Sequence, residues 1–423
     1  MKIAVVSRAN APGGGASRIA EDLARGILHA GHQATHFCGQ IIGSPDTFQR
    51  PLFGRDRRSR LVRTLQHKTQ RLGIPTLLAL EERFLFRNLF REFEAVHFHD
   101  HANTISMRSI AHLSRWKRTF FTAHDFHHLT GGCIYPLSCA RYKTHCGECP
   151  QRRSIGKYDF TRYNQAVNRK AAQYSSIHYI YPSDWLRREA EAHLRWKIPG
   201  ITLPNGFDPA PYRFVDRRTA RQQLGIDPQR KVIAISAHYL ADPRKGTKFA
   251  LSAVRACADL KPLVILIGNP IDSLERHLPG IDFWSTGLVE SRVRMGQLFA
   301  AADLFLFSSL QDNLPITIQE SMSAATPVIG FATGGVPEMI EHGHDGFLVP
   351  TGDQSQLDAA LRTALTSADL NAWGQNARAY AAAKYAPRDF IDTHLKLYAG
   401  SAKNSTSTAA ATRPTTHVTS ATP

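Results

Sequence analysis

Short apolar runs recur along this chain, and stretches with helical spacing lie between them. Ile3 to Val6 reads as a first strand, followed by a loop carrying Gly13-Gly14-Gly15. Ala16 to Ala30 follows as a helix, because Ile19, Leu23, Ile27 and Leu28 return near the helical period. Gly31-His32 closes it, and Gln33 to Cys38 is the next strand. Ala95 to Phe98, Thr119 to Ala123 and Ile177 to Tyr181 continue the series. A second series starts after Leu203-Pro204-Asn205-Gly206-Phe207-Asp208, with strands expected at Lys231–Ser236, Pro262–Gly268, Ile281–Thr286, Leu304–Phe307 and Pro327–Gly330. Strands alternating with helices predict parallel sheets covered on both faces. The pattern therefore predicts an α/β chain of two doubly wound, Rossmann-like domains.

The expected domains are residues 1–205, with a Cys-rich insertion at 130–150, and residues 206–385. A last amphipathic helix at 386–400, with Phe390, Ile391, His394, Leu395 and Leu397, is expected to return to the first domain. Residues 401–423 are rich in Ser, Thr, Ala and Pro without periodicity, which predicts a disordered tail.

The length of 423 residues suits two cores of ordinary size. No apolar run of about 18 residues occurs, so no spanning helix is expected. The apolar stretch in Met1–Ser7 is too short for a signal peptide, and a cytoplasmic protein is expected. Net charge changes the picture: it is +17, and Arg55, Arg57, Arg58, Arg60, Arg63 and Lys68 stand against only Asp56. Apolar residues follow at Leu77, Leu78, Leu80, Phe84, Leu85, Phe86, Leu89 and Phe90. Three readings fit this segment: a solvated basic face beside a core helix, an anionic membrane surface at the inner face, or nucleic acid.

Candidate chemistry gathers at loops that follow strands. Gly14 and Gly15 open a helix where backbone amides would face an anion. The spacing is not G-x-G-x-x-G and no acidic residue ends the next strand, which disfavours a nicotinamide enzyme. Arg244-Lys245-Gly246 precedes a helix from Thr247, a place where two cations would hold a diphosphate. Asp312-Asn313-Leu314-Pro315 runs into a helix carrying Glu320. Two carboxylates at the ends of such a turn suit the hydroxyls of a sugar nucleotide. His124 and His99 each follow a strand, in Phe121-Thr122-Ala123-His124-Asp125 and His97-Phe98-His99-Asp100-His101. Cys133, Cys139, Cys146 and Cys149 cluster, the last two as Cys-Gly-Glu-Cys. A structural zinc, disulfides and free packed thiols all fit that count, and a reducing compartment disfavours disulfides. Cys38 and Cys257 read as core residues.

The order strand, Ser308-Ser309, Asp312-Asn313-Leu314-Pro315, Glu320, Pro327-Val328-Ile329 and Gly334-Gly335-Val336-Pro337-Glu338 resembles the C-terminal signature of retaining, family-4-type glycosyltransferases. The resemblance implies the GT-B fold, two Rossmann-like domains facing a cleft. It also implies transfer of a sugar from a nucleotide diphosphate sugar to a glycan or lipid-linked glycan. Asp312 with the amides of Asn313 and Leu314 would then touch the donor sugar, and Glu320 the ribose. Arg244 and Lys245 would meet the leaving diphosphate, so that catalysis requires no metal. His124 would stand near the anomeric carbon, with His99 as its competitor or on the acceptor side. The family has Glu, seven residues, Glu, where this chain begins with Asp312, so the reach to the sugar differs. The Cys-rich stretch resembles an insertion in a subset of bacterial polysaccharide glycosyltransferases. A sugar-nucleotide epimerase of the same fold and a zinc-containing nucleic-acid-binding protein are the alternative readings.

Overall fold

The computed structural model describes residues 1–75, 81–101, 104–151, 158–192, 198–213, 216–271, 276 and 278–400. The stretch expected to be a disordered tail and Leu77, Leu78 and Leu80 lie outside the described residues. Contacts divide the chain into two compact units. One is Met1–Gly206 together with the chain from Pro387, and the other is Phe207–Ala386.

The first unit holds a parallel seven-stranded sheet. Its strands are β1 Lys2–Ala9, β2 Gln33–Gln40, β3 Gln49–Pro51, β4 Ala95–His99, β5 Arg118–Thr122, β6 Ile177–Tyr181 and β7 Gly200–Thr202, in the order β3-β2-β1-β4-β5-β6-β7. The order reverses between β1 and β4, so the loops after those strands open at the point where such sheets take ligands. Alternate residues of β4 face opposite ways. Val96 and Phe98 join the core with Phe37, Phe86 and Phe90, while His97 and His99 lie on the other face. On that second face the helix Pro387–Ala399 packs, with Tyr398 Oη 2.6 Å from His97 Nδ1 and Arg118 donating to the Tyr398 carbonyl.

The second unit holds a parallel six-stranded sheet. Its strands are β8 Val232–Tyr239, β9 Leu263–Asn269, β10 Phe283–Gly287, β11 Leu304–Phe307, β12 Val328–Phe331 and β13 Gly346–Val349, in the order β10-β9-β8-β11-β12-β13. Val232, Ala234, Phe305 and Phe307 feed one core, and Ile233, Ile235, Leu304 and Leu306 feed another. Burial on both faces is why these strands read as unbroken apolar runs rather than as an alternation.

The basic segment forms the helix Arg57–Arg71, capped by Asp56, whose carboxylate accepts from the Arg58 and Ser59 amides at 2.9 and 3.0 Å. Its cations are exposed, as are Leu61 and Leu72. The described apolar residues that follow, from Phe84 to Phe90, turn mostly to the core. Phe86 and Phe90 are fully buried, and Leu85 and Leu89 pack against the same core, leaving Phe84 exposed. Among the described residues no helix is long and apolar enough to cross a membrane.

Candidate functional site

In the second unit the sheet order reverses between β8 and β11, and the loops leaving β8, β11 and β12 converge there. After β8 the chain makes a short turn, Pro243–Lys245, with Asp242 accepting from the Arg244 amide at 2.9 Å. Gly246 follows at φ 60°, and a Cβ there would stand 2.1 Å from the Ser308 carbonyl oxygen, so only glycine fits between the two loops. The loops are then bonded together. The Leu310 amide donates to the Arg244 carbonyl at 2.8 Å, and Ser308 Oγ donates to the Lys245 carbonyl at 3.0 Å. The β12 loop joins through Thr333 Oγ1 on the Leu310 carbonyl at 2.8 Å and the Gly335 amide on the Asp312 carbonyl at 3.2 Å.

These contacts bring Arg244, Lys245 and Asp312 to one point. Lys245 Nζ lies 2.6 Å and Arg244 Nη1 3.3 Å from the same oxygen, Asp312 Oδ2, and Arg244 Nη1 also donates to the Gln311 carbonyl at 3.0 Å. Asp312 is 8% exposed. Burial pushes its carboxyl up, and Lys245 and Arg244 more than reverse this, leaving it below the usual carboxylate range. The Asn313 amide donates to Asp312 Oδ1 at 3.2 Å, and Asn313 and Leu314 are buried. Pro315 then starts the helix Ile316–Ser323, in which Glu320 is buried and accepts from Tyr212 Oη at 2.8 Å.

In the first unit, Gly14 and Gly15 lead into the helix Gly15–His29 after a short turn at Ala11–Gly13. Arg8 donates to the Gly13 carbonyl at 2.8 Å and lies 3.7 Å from Asp100. Asp100, between His99 and His101, has φ 62°, a strained value for a residue with a side chain, at the C-terminal end of β4. His99 and His124 meet directly, with His99 Nδ1 3.0 Å from His124 Nε2 and the rings stacked. The two candidate histidines are thus hydrogen-bonded neighbours. Burial lowers the His99 imidazole well below its ordinary value and that of His124 to about 3.

The four clustered cysteines are all free thiols. Burial pushes Cys133 up to about 12 and Cys146 to about 11. Among the described residues no three or more His, Cys, Asp or Glu side chains are grouped so as to hold a metal ion. A row of polar side chains on the helix Thr161–Gln173 is bonded to this loop. Gln165 Nε2 donates to the carbonyls of Leu129 and Tyr142 at 3.0 and 2.8 Å, and its Oε1 accepts from the Cys146 amide at 2.6 Å. Asn168 and Arg169 donate to the Thr130 and Thr144 carbonyls at 3.1 and 2.6 Å. Gly131 passes so close to this helix that a Cβ would lie 2.0 Å from the Thr161 carbonyl oxygen. Gln165→Ala would take the partner from the Leu129 carbonyl and the Cys146 amide, while the Tyr142 carbonyl keeps Arg169 Nη2 at 3.0 Å, and the expected loss is roughly 2 kcal/mol of stability. Urea denaturation checks it, and an unchanged midpoint would remove Gln165 as the clamp.

Tyr212, which donates to Glu320, is a residue of the candidate site that the sequence reading missed. It lies 108 positions from Glu320, and nothing in its local sequence marks it.

Comparison with known proteins agrees with this architecture. Residues 13–211 match the family described as Glycosyltransferase Family 4, and residues 229–367 match Glycosyl transferases group 1. A D-inositol 3-phosphate glycosyltransferase of Mycobacterium marinum is 30% identical over 182 residues, 41% of this chain and 38% of that protein. The chain thus spans about two fifths of the curated relatives it matches. Among solved structures, HepE of Anabaena in complex with UDP superposes with a TM-score of 0.66 at 19% identity, covering 95% of this chain and 100% of that one. HepE has also been solved with UDP-glucose. A sucrose-phosphate synthase of Thermosynechococcus elongatus gives 0.69 at 17% identity, with 95% and 99% covered.

Proposed function

This chain belongs to the family-4 and group-1 glycosyltransferases of GT-B fold, and from that premise we propose that it transfers a sugar from a nucleotide diphosphate sugar to a glycan or lipid-linked glycan. The transfer is proposed to proceed with retention at the anomeric carbon, in polysaccharide biosynthesis. The observation that carries the reading is the convergence of Arg244 and Lys245 on Asp312, where the β8, β11 and β12 loops are bonded together. As the bond to the diphosphate breaks, positive charge grows on the sugar ring and negative charge on the leaving phosphate. Lys245 and Arg244 meet that negative charge, so the step needs no divalent metal. In doing so they exchange the Asp312 carboxylate for phosphate oxygens, which frees Asp312 toward the sugar hydroxyls. Glu320 holds the ribose, and His124 is the histidine near the anomeric carbon. The family models and relatives described above do not favour the epimerase or the nucleic-acid reading.

Thermal unfolding with a panel of sugar nucleotides, UDP-sugars first, tests the donor. At a concentration of about 100 Kd the native state gains about 2.7 kcal/mol, a rise of a few degrees in Tm. A panel that leaves Tm unmoved at millimolar concentration sinks the reading.

The exposed cations of Arg57–Arg71, with Leu61 and Leu72 exposed among them, support peripheral contact with an anionic lipid surface. Co-sedimentation with phosphatidylserine vesicles is expected to fall when Arg57, Arg58, Arg60 and Arg63 are changed to Glu. Equal binding by both proteins would leave a solvated basic face as the account.

A further inference from the structure

We propose that His99 is a positioning residue that fixes the tautomer of His124, so that His124 accepts at Nε2 and carries its own proton on Nδ1. The inference rests on the reading that His124 serves the donor sugar only for its consequence, not for its chemistry.

The geometry comes first. His99 ends β4 with no exposed surface, and the register sets it opposite Thr122 of β5 and Ser7 of β1. His124 stands two residues past Thr122, and its Nε2 meets His99 Nδ1 at 3.0 Å. Two nitrogens at that distance share one hydrogen, so one ring donates and the other accepts.

Protonation state then narrows the choice. Both rings are held neutral by burial, so each carries a single proton at neutral pH. His97, whose ring centre is 4.3 Å from that of His99, takes no part in this hydrogen bond. Its Nδ1 is engaged by Tyr398 Oη at 2.6 Å and its Nε2 by Thr122 Oγ1 at 2.8 Å.

The other nitrogen of His99 decides between the two arrangements. His99 Nε2 is buried and has no hydrogen-bond partner among the described residues. If His124 donated from Nε2, the proton of His99 would have to sit on its own Nε2, as a buried N–H with no acceptor. If His99 donates from Nδ1, its Nε2 is a bare lone pair. Orphaned buried donors are rarer in folded proteins than under-used acceptors, and the second arrangement is the one the fold can carry. His124 must then hold its proton on Nδ1. That edge of the ring is a fixed hydrogen-bond donor, suited to a sugar hydroxyl oxygen and unsuited to removing a proton.

Long-range proton–nitrogen spectra of the full-length protein with labelled histidine, at pH 7 and without ligand, read the tautomer directly. His124→Gln assigns the signals. The expected spectrum has a protonated Nδ1 and an unprotonated Nε2 for His124, and the reverse pattern overturns the proposal. Kinetics supply the second arm. His99→Leu cannot donate to His124, whereas the amide of His99→Gln can. With the two variants matched in Tm, His99→Leu is expected to lose roughly tenfold in kcat/KM and His99→Gln to recover most of it. Equal losses in both would leave His99 a packing residue and overturn the positioning role. If no donor gives transfer with the natural protein while the spectrum shows the Nδ1 proton, the tautomer stands and the transferase reading falls.

Discussion

Lys245→Ala is expected to lower kcat by a factor of about 100 to 1,000 while the second unit stays folded. The size follows from where the ammonium stands. Lys245 Nζ is 2.6 Å from Asp312 Oδ2, at a point fixed by the Gly246–Ser308 approach and by hydrogen bonds between the two loops. A cation held there needs no rearrangement when a leaving phosphate replaces the carboxylate, and preorganised charge of this kind acts mainly on the transition state. The fold survives because Arg244 remains 3.3 Å from the same Asp312 oxygen and continues to offset its buried charge. The asymmetry between the two cations predicts the order of effects, with Lys245 the larger. Lys248, exposed and three residues on, is the control, and Lys248→Ala should keep its activity. The measurement is steady-state transfer from the donor identified by thermal shift, with circular dichroism alongside. Unchanged kcat in Lys245→Ala would remove the cation from the leaving-group role.

Much of the fold was legible because both sheets are parallel and covered on both faces. The runs Leu304–Phe307 and Ile177–Tyr181 match β11 and β6 residue for residue; β11 is buried and apolar throughout, and β6 is buried over Tyr179–Tyr181 with His178 exposed near its start. The strands that escaped are short. Gln49–Pro51 and Gly200–Thr202 are three-residue edges, and Gly346–Val349 is short, too brief for a pattern to rise above the loops around it. The apolar stretch after the basic helix was ambiguous for a different reason. Its period does not say whether Phe86 and Phe90 face lipid or the aromatic rings of Phe37 and Phe98, and only the tertiary packing decides. The cysteines drew attention to the loop at 130–150. The side chains that clamp it, Gln165, Asn168 and Arg169, look in sequence like the polar face of a surface helix. Strand-end position drew attention to Arg244, Lys245 and Asp312, which the second unit brings together, and to His124 in the first unit. Partnership did not follow from position, because the bond between His99 and His124 is set by the β4–β5 register and the bond from Tyr212 to Glu320 by packing across 108 positions.

Glu320 carries the second large effect, and the contact from Tyr212 says how to measure it. The carboxylate is 2% exposed and accepts from Tyr212 Oη at 2.8 Å through Oε1. Glu320→Ala is expected to reduce kcat/KM for the donor by roughly 100-fold, since a hydrogen bond to a charged group contributes about 1.5–3 kcal/mol and the tyrosine hydroxyl loses the carboxylate as well. Glu320→Gln separates the two contributions. The amide oxygen still accepts from Tyr212, so stability should hold, but the charge-assisted bond to the ribose is lost and the donor KM should rise by roughly tenfold. Donors built on 2′-deoxyribose sharpen the test. The natural protein should discriminate against them, and Glu320→Gln should treat the two sugars nearly alike, because the group that distinguished them is gone. Tyr212→Phe should fall between, since the carboxylate keeps its charge and loses the hydroxyl that fixes its rotamer. If Tyr212 acts only through Glu320, adding Tyr212→Phe to Glu320→Ala should cost no further donor affinity. A Glu320→Gln protein that still rejects the deoxyribose donor would place ribose recognition on other residues, and Glu320 would then be a helix acid held by a tyrosine and nothing more.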